Sequence, residues 1–389
     1  MILDPHREFQ ELIDRRKILI CVGSGGVGKT TTSAILGLQA AMMGKKVLVL
    51  TIDPARRLAN SLGIDAIGSQ RQKIPLERFK DLGLEPRGEL WAMMLDMKES
   101  FDRLVERDAP DEESRDAILS NPFYQYFSTS LAGTQEYAAS ERIFEFDQEG
   151  YFDLIVLDTP PTTHALDFLE APNRLADAVS SRALQWMYRP AILSGRPGRG
   201  ILSVGTTYVL RTLSKFTGGE LLADLTVFLK SFSVLFDGFE ERARAVHALL
   251  TGDDTGFIVV TAPDTLTVEE ALYFHEKLGD EILHVDGFVV NRVHPRWVED
   301  AERLRPQDVA DTLRAQGPGV ADPDSLAQRL LLNAMDFQQR AGQDAASIAH
   351  MEEKLPADMP VARVPYFNED IHSLAGLNRA RQEIFTGLS

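Results

Sequence analysis

The stretch GSGGVGKTT, residues 23–31, follows the apolar run KILICV and precedes the helix-patterned TSAILGLQAAMM. It fits G-x-x-x-x-G-K-[ST] in the strand–loop–helix setting that gives this pattern its meaning. The glycines, Gly25, Gly26 and Gly28 among them, let backbone N–H groups around Val27 turn inward on a chain of phosphates. Lys29 then reaches the β- and γ-phosphates, and Thr30 ligates Mg²⁺ at the positive end of a helix that continues through Thr31. A Gly-rich turn holding nothing is the alternative, and the flanking strand and helix argue against it.

A loop of this kind demands a strand buried on both faces, and the chain supplies several. Short β-branched runs recur at 17–23, 46–53, 89–96, 152–159, 256–263, 285–293 and 361–367. Near-continuous apolar runs imply a parallel sheet covered by helices, and helical stretches such as Thr31–Met43 and Glu269–Leu278 lie between them. The expected fold class is therefore α/β, a P-loop NTPase with a doubly wound, mostly parallel sheet. Two intervals, about 97–150 and 163–252, are too long for simple crossovers and are helix-patterned, so they predict a helical subdomain inserted in a single unit over residues 1–389. Within the second, Leu225, Phe228, Leu229, Phe232, Leu235, Phe236 and Phe239 form one wide apolar stripe, and residues 201–213 are patterned likewise. Residues 189–200 and 314–325, rich in Gly, Pro and polar groups, read as loops.

Composition narrows the partners. Hydrophobic residues at 44% and charged residues at 25% are those of an ordinary globular chain. A net charge of -17 repels phosphate backbones and anionic lipid, which argues against nucleic-acid binding and allows membrane contact only indirectly. Cys21 is the single cysteine, so neither an intrachain disulfide nor a Cys-rich zinc site can form. The start, MILDPHREFQELIDRRK, has no apolar signal core, and no run reaches the roughly 18 apolar residues of a spanning helix, so a cytoplasmic protein is expected.

Two further motifs carry chemistry. FDLIVLDTPP is an apolar strand ending in Asp158, the expected companion of Thr30 in holding Mg²⁺, although an Asp so placed can also cap a helix. LTIDPARRLAN puts Asp53 at the carboxyl edge of the sheet, where a carboxylate could orient the attacking water. An Asp before Pro is also a common turn former.

The series GSGGVGKTT, TIDPARRLA, LDTPPTTHALDFL and VVNR, in this order and spacing, resembles the ArsA/Get3 family of ATPases, the arsenite-pump and tail-anchored-protein-targeting factors of the deviant Walker-A class. The likeness extends over most of the chain and is nearest to the bacterial, actinobacterial-type branch. It implies that Asp53, in switch I, activates water, and that Asp158 in switch II stands on the Mg²⁺ side. It further implies that His164 relays toward the helical subdomain, that Asn291 reads adenine, and that Pro365 and Phe367 flank the base. ATP and Mg²⁺ are the implied ligands, and a dimer the implied assembly.

Departures from the family pattern are as informative. A C-x-x-C zinc clasp and the metalloid-binding cysteines of the arsenite pumps are both missing. Ser24 stands where the family carries a lysine that reaches across the dimer. The combined expectation is an ATPase that couples nucleotide state to an apolar client held by the helical subdomain, paired with a lysine-bearing paralogue or, failing that, with itself. A regulatory subunit without turnover of its own, a ParA/MinD-like partitioning ATPase and a small-molecule kinase are the alternatives.

Overall fold

In the computed structural model, which describes residues 4–52, 56–62, 64, 67–130, 134–160, 236–280, 283–296, 304–315, 321–369, 371 and 373–386, all seven apolar runs are strands. They are β1 (Ile18–Val22), β2 (Lys46–Thr51), β4 (Glu89–Met94), β5 (Leu154–Asp158), β6 (Thr255–Thr261), β7 (Val285–Val293) and β8 (Val361–Pro365). An eighth strand, β3 (Gln72–Lys73), has two exposed polar residues and no periodic signal, and pairs antiparallel with β4 at the edge. The sheet order is β3-β4-β2-β5-β1-β6-β7-β8, and every other pairing is parallel. This is the α/β P-loop NTPase fold that the runs predict. Its topology reverses direction around β1, where open α/β sheets place their ligands.

Alternation of side chains along each strand explains why the runs are apolar throughout. On one face Ile20, Leu50, Leu157, Val259 and Val290 join one buried cluster, and on the other Cys21, Val49, Val156, Val260 and Val289 join a second. The second face is covered by α1 (Pro5–Arg15), α2 (Lys29–Met43) and α13 (Leu374–Phe385), which contribute Ile13, Ile35 and Leu377. Helix α2 is buried over most of its circumference, and its Gly37 lets it approach the sheet, because a Cβ there would lie 2.4 Å from Val49 Cγ2. It ends at Gly44, whose left-handed backbone returns its N–H to Ala40 and Ala41.

The first face is covered by α5 (Met97–Asp108), α8 (Thr134–Glu149), α10 (Thr265–Asp280) and the end of α12 (Pro323–Lys354), through Phe101, Ile143, Phe274 and Met351. The remaining described helices are α3 (Arg56–Ser61), α4 (Leu76–Lys80), α6 (Glu112–Leu119), α7 (Pro122–Ser130), α9 (Phe236–Leu250) and α11 (Pro306–Ala315). The helix-patterned interval 97–150 is thus four helices. Of the interval 163–252, only α9 and the turn after it fall within the described residues, so the loop at 189–200, the segment 201–213 and most of the apolar stripe lie outside them. The 32 residues of α12 have no counterpart in the sequence reading, which placed only a loop over 314–325. Among the described residues, no helix is long and apolar enough to cross a membrane.

Candidate functional site

The loop leaving β1 closes on itself by means of its glycines. Gly23, Gly26 and Gly28 have φ of 147°, 78° and 106°. Gly23 also lies so close to β6 that a Cβ would stand 2.1 Å from the Val260 carbonyl oxygen. Lys29, the first residue of α2, is buried, and its Nζ donates to the carbonyls of Gly23 and Ser24, both at 2.8 Å. The N-terminus of α2 is capped by Gly28 without a side-chain hydrogen bond, so its leading N–H groups and positive dipole end face the loop. A ring of N–H groups closed by one ammonium suits a polyphosphate.

Asp158 ends β5 in register with Cys21 of β1 on one side and Thr51 of β2 on the other. It is 1% exposed, and its Oδ2 accepts from Thr51 Oγ1 at 2.9 Å. Thr159 Oγ1 donates to the Cys21 carbonyl at 2.7 Å, tying the strand end to the root of the loop. Thr51 is a site residue that the sequence reading gave no role, although it opens the TIDPARRLA motif at the end of an apolar run. Cys21 is not a reactive group, because burial pushes its thiol up to about 12. Thr30, half-buried in the first turn of α2, and Asp158 are hard oxygen donors of the kind Mg²⁺ takes together with phosphate oxygens and water. Among the described residues no group of three His, Cys, Asp or Glu side chains could hold a metal by itself.

Asn291, near the end of β7, meets the same loop. Its Nδ2 donates to the Val27 carbonyl at 2.9 Å, and its Oδ1 accepts from the Arg292 N–H at 3.0 Å. Pro365 ends β8 opposite Val293, and Phe367 is half-buried beneath the Arg379 guanidinium, 5.6 Å from the ring centroid. Between these, Tyr366 stacks on His294 at 5.1 Å. Asp53 and His164 lie outside the described residues. Ser24 has an unforeseen partner, since its hydroxyl donates to the carboxylate of Glu270 on α10, 246 residues away. No local pattern announces that contact.

A parallel sheet with a Gly-rich loop and buried lysine after its central strand, and an Asp on the neighbouring strand, defines a P-loop NTPase. The family described as anion-transporting ATPase matches residues 16–193. ATPase GET3 of Malassezia globosa is 32% identical over 174 residues, 44% of this chain and 48% of that protein. A putative arsenical pump-driving ATPase 1 of Aquifex aeolicus is 26% identical over 297 residues, covering 74% of this chain and 65% of that one. ATPase get3 of Aspergillus terreus is 29% identical over 273 residues, 67% and 76% respectively. Over these stretches the chain is similar to ATPases of the ArsA/Get3 kind. It spans less than two thirds of the length of the first two of these relatives.

Proposed function

We propose that this chain binds MgATP in the 23–31 loop and hydrolyses it, and that hydrolysis drives an apolar client on and off its helical subdomain. The observation that carries the reading is the convergence of buried Lys29, the open N-terminus of α2 and Asp158 at the carboxyl ends of β1 and β5. On binding, Lys29 exchanges the carbonyls of Gly23 and Ser24 for phosphate oxygens. The loop N–H groups take the remaining oxygens. Thr30 and Asp158 would hold Mg²⁺, which supplies positive charge against the phosphates when bound. Thr51 keeps the Asp158 carboxylate oriented. Asp53, two residues past β2, orients the attacking water, and His164 links the site to the helical subdomain. Asn291, Pro365 and Phe367 line the base.

The test is direct. Lys29→Ala is expected to abolish MgATP binding, whereas Asp53→Asn retains binding and loses turnover by about 10²–10⁴-fold, the usual contribution of a positioned base. Undiminished turnover in Asp53→Asn removes that residue from the mechanism. Mass spectrometry of what co-purifies with Asp53→Asn identifies the client, and an absence of apolar protein segments refutes the client part of the reading.

Ser24 supports a dependence on a partner. It bears no charge, and its hydroxyl is engaged by Glu270 of its own chain, so it offers nothing cationic to a neighbouring subunit. A heterodimer with a lysine-bearing paralogue completes the site, and a slowly turning homodimer is the other arrangement. Equal turnover by the chain alone and by its mixture with the paralogue refutes the heterodimer. This work is proposed to take place in the cytoplasm, without nucleic acid.

A further inference from the structure

Ser24, the first variable residue of the phosphate loop, is held from two sides. Its carbonyl accepts from Lys29 Nζ at 2.8 Å, and its hydroxyl donates to the Glu270 carboxylate. Glu270 cannot drift far from the loop, because Val268, Ala271, Phe274 and Leu278 of the same helix are buried. Its neighbour Glu269 turns the other way, to His350 Nε2 at 2.8 Å and Lys354 Nζ at 3.2 Å on α12. Those two side chains are thereby engaged elsewhere, and among the described residues Glu270 has no cationic partner. A carboxylate is thus tied, by a single serine hydroxyl, to a loop whose backbone is arranged to attract anions.

We propose that Glu270 sets the nucleotide affinity of the phosphate loop, as a negative charge anchored through Ser24 that opposes the entry of polyphosphate. The effect is Coulombic. Like charges within several ångströms repel across a protein surface, and because Glu270 is exposed, added salt screens the repulsion. Glu270 is a positioning and affinity-setting residue rather than a catalytic one. The inference rests on the reading that the loop binds nucleotide.

Calorimetric titration of the full chain with MgATP, at low and high ionic strength, tests it on the wild type, Glu270→Gln, Ser24→Ala and the double variant. Glu270→Gln keeps the hydrogen bond and removes the charge. It is expected to bind MgATP about three- to tenfold more tightly at low salt, with the gain falling below about twofold at high salt. Ser24→Ala removes the tether and leaves the charge free to swing into water, which gives a smaller gain, and the double variant gains no more than Glu270→Gln alone. Affinity in Glu270→Gln that is unchanged or weaker at low salt, or a gain that salt does not reduce, overturns the inference while leaving nucleotide binding intact. If no form binds MgATP, the nucleotide reading falls and this inference with it.

Discussion

Gly28 illustrates how one residue serves backbone and packing together. Its φ of 106° lies in the left-handed region, and a Cβ there would stand 2.2 Å from Asn291 Nδ2, the atom that donates to the carbonyl of Val27. Asn291→Ala removes that hydrogen bond and is expected to cost about 1 kcal/mol of stability. Gly28→Ala costs more, since an L-residue held left-handed forfeits about 1–2 kcal/mol before any clash is counted. In the double variant the clash disappears while the strain stays. Urea denaturation of the four proteins should therefore show a double variant less destabilised than the sum of the two single changes. Strict additivity would mean that the amide is not what Gly28 makes room for. The need for glycine at this position is legible in the motif, but the side chain it accommodates arrives from a strand more than 250 residues later.

At the scale of elements, α10 shows what burial does to a titrating group. His275 lies edge-on to Phe288 of β7 at 5.7 Å, and its Nδ1 is buried without a hydrogen-bond partner among the described residues. Protonation would place a second donor there with nothing to accept it, and burial alone pushes the ring below its ordinary range. A folded-state pKa lower than the unfolded one contributes stability that is present above the unfolded value, about 6.5, and is lost as pH falls through the folded value. The urea midpoint should therefore drop between pH 7 and pH 5, and His275→Gln, neutral at both, should flatten the drop. An unaltered pH profile in that variant would clear His275 of the effect. The strand runs and helix α2 were legible because their burial repeats at regular spacing. Strand β3 was not, because two exposed residues at a sheet edge carry no periodic pattern, and α12 was not, because most of its 32 residues face outward and leave only a sparse apolar rhythm.

For the whole molecule, the junction of α1 and β1 is fastened to β7 by a buried ion pair. Arg16 donates to both Asp286 oxygens, at 2.7 and 2.6 Å, with the two side chains 7% and 5% exposed. Arg15 reaches the same carboxylate at 3.0 Å but is 64% exposed. Breaking a buried pair leaves an uncompensated charge, so Arg16→Ala is expected to cost about 3–5 kcal/mol. Arg15→Ala, at an exposed site, should cost about 0–1 kcal/mol. Similar losses in the two variants would show that burial is not what distinguishes them. By itself, the sequence determined the fold class, the seven main strands and the phosphate loop, because the chemistry of that loop lies within nine contiguous residues and the strand signal is local. Only the tertiary structure decided which distant groups meet the loop. Thr51 comes to Asp158 because β2 pairs with β5, Asn291 to Val27 from β7, and Glu270 to Ser24 because α10 follows the strand beside β1. Strand order is a cooperative property of the packed sheet, and no short window of residues encodes it.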